Sequence, residues 1–73
     1  MLSPQSQTLA NTIEERLGIV VSVDRERGCL ILVHSDRTRS HLSADPNLLG
    51  NLRIGGPVWT LVQGTILRAL RRL

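Results

Sequence analysis

The chain of 73 residues contains no Phe, no Tyr and no Lys, and it has one Cys, one Met and one Trp. A single cysteine, Cys29, excludes an intramolecular disulfide. With Trp59 as its one Phe, Tyr or Trp residue, the chain has few platforms for base stacking, which proteins that bind single-stranded nucleic acid use. No apolar run approaches the length of a membrane-spanning helix. We therefore expect one small domain without a disulfide and without a membrane segment.

All of the positive charge comes from nine arginines, which give a net charge of +3 and a sequence pI of about 11.1. Arginine forks match phosphate geometry, so a weak, salt-sensitive interaction with nucleic acid is one interpretation. Its candidate residues are Arg25, Arg27, Arg37, Arg39, Arg68, Arg71 and Arg72. Acidic residues are interleaved with these arginines along the chain, which favours a solvated arginine surface instead.

Residues 1–17 are predicted to form a flexible lead-in followed by a short helix. Leu9, Ile13 and Leu17 recur every four residues, which predicts an apolar stripe on a helix over 8–17, and Gly18 is expected to end it. The segment has neither a basic n-region nor a continuous apolar core of the kind found in signal peptides. The expected location is therefore the cytoplasm.

Residues 18–73 read as a β domain. Apolar and β-branched runs separated by turn residues predict strands at 19–23, 29–34, 40–44, 58–62 and 65–73. The last segment also fits a helical period, so a helix is the alternative there. After Asp45-Pro46, the spacing of Leu48, Leu49 and Leu52 predicts one helical turn that plugs the core. The expected fold is all-β, a small five-stranded OB-like barrel with an N-terminal α-helix.

Several short patterns carry a family resemblance over about three-quarters of the chain. They are Gly18-Ile-Val-x-x-Val-Asp24, Gly28-x-Leu-x-Leu-x-His34, and Ala44-Asp-Pro-x-Leu-Leu-x-x-Leu-Arg-x-Gly55. In these the chain resembles the CusF-like family of small periplasmic copper- and silver-binding barrels. That family binds metal through a His, a Trp and two Met. His34 matches the His, but residues 35–44 contain no Trp or Met, so the resemblance implies the barrel without the family's soft-metal ligands. A metal-binding protein related to these carriers is the third functional interpretation.

The candidate metal ligands are His34 and His41, which would lie opposite each other if the intervening turn centred on Arg37-Thr38. Two imidazoles without a third fixed ligand are a weak metal signal, and hydrogen-bonded histidines beside a loop are the alternative. No serine lies in a Gly-x-Ser-x-Gly setting and no phosphate-binding loop is present. We therefore expect a protein that is not an enzyme and that has no cofactor.

The strongest functional signal is apolar character on both faces of the predicted strands. In simple alternation, the inward set is Ile19, Val21, Val23, Leu30, Leu32, Val58 and Val62. The outward set is Val20, Cys29, Ile31, Val33, Trp59 and Leu61. An apolar outer face needs a cover, which the N-terminal helix, a second copy or a partner protein would supply. The sequence thus predicts an interaction module with Ile31, Val33, Trp59 and Leu61 as its interaction face, and a homodimer is one form of that interaction.

Overall fold

The computed structural model describes residues 12–73 as a β domain with one short helix. Its elements are β1 (Ile13–Asp24), β2 (Cys29–Val33), β3 (Arg39–Ser43), α1 (Pro46–Leu49), β4 (Pro57–Gln63) and β5 (Ile66–Arg72). The all-β prediction is confirmed, as are the hairpin over 19–34 and the helical turn after Asp45-Pro46.

The five strands form a ring of hydrogen bonds in the order β1-β2-β3-β5-β4, which returns to β1. The long strand β1 pairs with two neighbouring strands: its first half pairs with β4 and its second half pairs with β2. The ring is thinnest between β3 and β5, whose parallel contact consists of one pair, Ser43 with Ile66. The first half of β1 pairs with β4 on one side, and before Ile19 no strand within residues 12–73 pairs with its other edge, so the sheet is open along that edge.

The predicted helix over 8–17 is wrong for Ile13–Leu17, which belongs to β1; residues 8–11 lie outside the described part. Seven residues, Ile13 to Ile19, pair with β4 in register. A spacing of four places Ile13 and Leu17 on one face of a helix, and equally on one face of a strand. Pairing with β4 decides in favour of the strand. Gly18 does not end a helix either, because it lies within β1 and pairs with Val58. Glycine is favoured there since a Cβ would lie 3.0 Å from the Val33 carbonyl oxygen.

A β-bulge in β1 corrects the predicted register. Val20 pairs with Leu32, but Ser22 pairs with Ile31, so Val21 is the extra residue. The bulge lets Val20 face the core in the first half of the strand and Val23 face it in the second. Val20, which was predicted to point outward, is fully buried. The Ile19 side chain, which was predicted to point inward, is 46% exposed. The predictions for Ile19 and Val20 are therefore both reversed.

The core of the ring consists of nine apolar side chains. They are Val20, Leu30, Leu32, Leu42, Leu49, Leu52, Val58, Val62 and Leu67. Helix α1 contributes Leu49 from within the helix and is followed by Leu52. It begins with Asp45, whose carboxylate accepts the Asn47 N–H at 2.9 Å, and with Pro46 in its first turn. The plug predicted for this segment is confirmed.

The last segment is a strand, β5, as predicted, and its helical spacing has a structural cause. Leu61 pairs with Ala69 and Val62 pairs with Leu67, so Arg68 is an extra residue in a second bulge. The bulge allows Leu67 and Leu70, three residues apart, to pack against the same core. Gln63 pairs with Ile66, so the turn before β5 consists of Gly64 and Thr65. Gly64 has a φ of 61°.

Candidate functional site

An apolar surface covers the outer side of three neighbouring strands, β1, β4 and β5. Val58, Thr60 and Val62 of β4 are buried, so the alternating Trp59 and Leu61 point outward. Three cross-strand rows define this surface, which we call the three-strand face. The rows are Ile13–Gln63–Ile66, Glu15–Leu61–Ala69 and Leu17–Trp59–Arg71.

The three-strand face exposes large apolar side chains at its margins. Leu17 is 60% exposed, Ile13 is 54% exposed and Ile66 is 44% exposed. Trp59 and Leu61 at the centre are half-buried, and the Arg71 guanidinium lies 5.3 Å from the centroid of the Trp59 ring. Contiguous apolar exposure of this kind marks interaction surfaces in soluble proteins.

The interaction face predicted from the sequence is split by β1. Trp59 and Leu61 belong to the three-strand face, whereas Ile31 and Val33 lie on β2, on the other side of β1. All four side chains are half-buried. An apolar groove of about 320 Å³ connects the two parts. It is lined by Leu17, Gly18, Ile19, Val33, His34, Ser35, Pro57 and Leu73.

A second site, of opposite character, lies between the unpaired edge of the first half of β1, the β2–β3 connection and the start of β3. We call it the seam cleft. Its volume is about 450 Å³, and its lining is polar: Arg16, His34, Ser35, Asp36, Thr38, Arg39 and Ser40. The β2–β3 connection supplies the residues from His34 to Thr38.

A chain of hydrogen bonds holds the wall of the seam cleft together. His34 Nδ1 lies 2.7 Å from the Leu17 carbonyl oxygen, and His34 Nε2 lies 2.6 Å from Ser40 Oγ. Since a carbonyl only accepts, we assign the proton to Nδ1, so that Ser40 donates to Nε2. Arg16 Nη1 donates to the same Ser40 oxygen at 2.9 Å, and Arg16 Nη2 contacts Glu14 at 3.1 Å.

These hydrogen bonds bring three polar groups together at a buried point: the His34 imidazole, the Ser40 hydroxyl and the Arg16 guanidinium. Ser40 is only 6% exposed, and its hydroxyl both donates to the imidazole and accepts from the guanidinium. Such an arrangement fixes the imidazole tautomer and the guanidinium plane. It also provides a proton-accepting nitrogen, His34 Nε2, whose protonation would reverse the bond to Ser40.

Asp36 is the acidic residue in the lining of the seam cleft. Its Oδ1 accepts from the Thr38 hydroxyl at 2.6 Å and from the Thr38 N–H at 3.0 Å. These two bonds, led by that of the hydroxyl, hold the pKa of Asp36 below its ordinary value of 3.8. The carboxylate is thus ionised at neutral pH and tied to its own turn.

The structure does not bring His34 and His41 together. The turn closes between His34 and Thr38, whose carbonyl accepts the His34 N–H at 2.8 Å, and His41 pairs with Ile31 instead. His41 alternates with the buried Ser40 and Leu42, so it lies on the outer face of β3. Within residues 12–73, no three His, Cys, Asp or Glu side chains are grouped as metal ligands would be.

The arginines proposed for phosphate contact lie in separate places, and most have protein contacts. Arg25 donates to the Gly50 and Leu52 carbonyls at 2.8 and 2.6 Å, and so ties the β1–β2 turn to the segment after α1. Arg27 pairs with Asp24, Arg68 donates to Gln63, and Arg71 stacks on Trp59, while Arg72 lies near the end of β5. Arg37 and Arg39 flank the seam cleft at the β2–β3 turn, where Arg37 has a φ of 72°.

Sequence reasoning missed the residues that join these sites, namely Arg16, Leu17, Ile19 and Ser40. A strand interpretation of residues 13–17 would have placed Arg16 and Leu17 on opposite faces. The Arg16–Ser40 contact spans 24 residues in sequence and depends on ring closure. No local pattern contains that information.

Comparison with known proteins gives no relative for this chain: no protein-family model, curated protein or solved structure matches it. No helix within residues 12–73 has both the length and the apolar character needed to cross a membrane.

Proposed function

We propose that the protein is a small non-enzymatic interaction module that associates with a second copy of itself through the three-strand face. The scaffold of this proposal is an OB-like barrel. Its support is the strand order β1-β2-β3-β5-β4 together with a short helix between β3 and β4.

We choose a second copy as the binding partner because the charges of the three-strand face are self-complementary. Its centre, Trp59 and Leu61, is apolar. Its β1 margin carries Glu15, and its β5 margin carries Arg71. Glu15 makes no ion pair within the described residues.

Packing about a two-fold axis parallel to the strands places β1 of one copy against β5 of the other. Glu15 then faces Ala69 of the second copy, one row and roughly 7 Å along the strand from Arg71. The long Arg71 side chain spans that offset, and the same pair recurs on both sides of the apolar centre, as isologous interfaces require. The apolar centre supplies the affinity, and the charged margins fix the orientation.

Sedimentation velocity of the full chain tests the association. We expect a dimer, and we expect Leu61→Arg to weaken it at least about tenfold, because it buries an unpaired charge at the centre of the interface. Ile54→Arg is the matched control, since Ile54 is 70% exposed in the turn before β4 and off the face. A monomeric wild type, or equal dissociation by both variants, contradicts the proposal.

A charge exchange tests the orientation. Glu15→Arg and Arg71→Glu should each weaken the dimer, because each places like charges together at both margins. The double variant should recover much of the loss, since it restores opposite charges in exchanged positions. Additive weakening in the double variant would reject the proposed two-fold arrangement while leaving association through the face intact.

A further inference from the structure

The lining of the seam cleft brings together two guanidinium groups, several hydroxyls, an imidazole and the Asp36 carboxylate. Arg16 is held in a fixed position from two sides, by Ser40 Oγ and by Glu14. A guanidinium that is already ordered loses little conformational entropy when it binds a ligand.

Arg39, at the start of β3, is the second arginine in the lining of the seam cleft. It is exposed, and it makes no ion pair or side-chain hydrogen bond within residues 12–73. The cleft therefore presents one ordered guanidinium and one free guanidinium, with the Ser40–His34 pair at its buried end. Its volume of about 450 Å³ falls within the range of small-molecule sites, roughly 300–1,000 Å³.

We propose that the seam cleft binds the phosphate group of a small phosphate monoester, and that His34 takes up a proton when the ligand binds. Arginine forks and hydroxyl donors are the groups that recognise phosphate oxygens. The inference is independent of self-association, because Arg16 and Leu17 are adjacent in β1 and face opposite sides of the sheet.

Proton uptake follows from the charges around His34. On β1, Arg16 faces Glu14; in the turn there is Asp36; on β3 there is Arg39. Arg37 flanks the cleft but is not part of its lining. With neutral His34, the positive charges of Arg16 and Arg39 are offset by Asp36 and by Glu14, which pairs with Arg16, so these four groups leave little net charge to hold a dianion. A proton on Nε2 adds one positive charge. The protonated nitrogen then donates to Ser40 Oγ, and the Ser40 hydroxyl proton becomes available to a phosphate oxygen.

Isothermal titration calorimetry with glycerol 3-phosphate tests the proposal. At about pH 7.5 a phosphate monoester is largely a dianion, because its second pKa is roughly 6. We expect the observed enthalpy to depend on the ionisation enthalpy of the buffer with the sign of proton uptake. His34→Gln should weaken binding and abolish that dependence. Absence of binding by the wild type, or binding without proton uptake, overturns the proposal.

Charge variants test the location of the site. Arg39→Gln should weaken binding by roughly five- to tenfold, because it removes a charge-assisted hydrogen bond. Glu14→Gln should strengthen binding, since it removes a negative charge beside the site while Ser40 still orders Arg16. Arg53→Gln, which removes the same charge outside the cleft, is the control and should change nothing. Equal losses in Arg39→Gln and Arg53→Gln would indicate nonspecific attraction and overturn the site.

Arg39 is exposed, so its variant tests the site even if His34→Gln fails to fold. A short oligothymidine distinguishes the two sources of phosphate. If it displaces glycerol 3-phosphate and is weakened by Arg39→Gln, the phosphate chemistry stands and the ligand is a nucleic acid backbone. If it fails to compete, the site takes a small monoester.

Discussion

At the scale of single residues, the buried Ser40 hydroxyl shows how a small domain satisfies polar groups beside its core. Its oxygen contacts His34 and Arg16, and His34 in turn reaches the Leu17 carbonyl. No buried side-chain nitrogen or oxygen is left without a partner in the part of the chain that the structure describes. The polar seam thus costs little in unsatisfied hydrogen bonds, although the sheet is open there.

The Asp36–Thr38 contact gives a prediction at this scale. The Asp36 carboxyl should titrate below 3.8, because the Thr38 hydroxyl and N–H stabilise its ionised form. A lowered folded-state pKa contributes stability above the unfolded value, and the contribution is lost as the pH falls through the folded-state pKa. Thr38→Ala removes the hydroxyl and should move the titration upward. Carboxyl ¹³C NMR measures both midpoints, and an unchanged Asp36 midpoint in Thr38→Ala would contradict the assignment.

At the scale of elements, two β-bulges decide which apolar residues enter the core. Val20 and Val23 in β1, and Leu67 and Leu70 in β5, are each three residues apart and pack against one core. Simple alternation cannot place such pairs on one face, so a bulge mimics a helical period in the sequence. The same spacing produced the ambiguity over residues 65–73.

Substitutions at Ile19 and Val20 test the β1 bulge. Val20→Ala should lower the free energy of unfolding by roughly 2 kcal/mol, because it opens a cavity in the core. Ile19→Ala should cost less than about 1 kcal/mol, because Ile19 is 46% exposed. Urea unfolding measures both values. If Ile19→Ala lowered the free energy of unfolding more than Val20→Ala, the result would contradict the bulge and support simple alternation of the β1 side chains.

The sequence was sufficient for elements whose local pattern agrees with their pairing. The β2 strand and the Asp45-Pro46 start of α1 follow from propensity and turn chemistry. It was insufficient for residues 13–17, where a four-residue spacing fits a helix and a strand equally. His34 and Arg39 were recognised one at a time as candidate residues. Their common cleft with Arg16 required the ring topology, in which β1 approaches β3.

At the scale of the whole molecule, β1 connects the two proposed sites. Its first half presents Leu17 to the three-strand face and Arg16 to the seam cleft, and it pairs with β4 over seven residues. Of the strand pairs in the ring, β1 and β4 share the longest uninterrupted register. A change to this half-strand should therefore affect association, phosphate binding and folding together.

Two truncations separate the contribution of β1 from that of the residues before it. Deleting residues 1–11 should preserve the fold and the dimer, because the pairings that form the ring lie within residues 13–72. Deleting residues 1–17 should cause unfolding or aggregation, because it removes five of the seven β1 residues that pair with β4 and uncovers that edge. Circular dichroism and sedimentation velocity measure both outcomes. A folded monomer after deletion of residues 1–11 would mean that the deleted segment is needed for association. The proposal that a second copy alone covers the three-strand face would then be rejected. A folded chain after deletion of residues 1–17 would mean that the ring does not depend on the first half of β1.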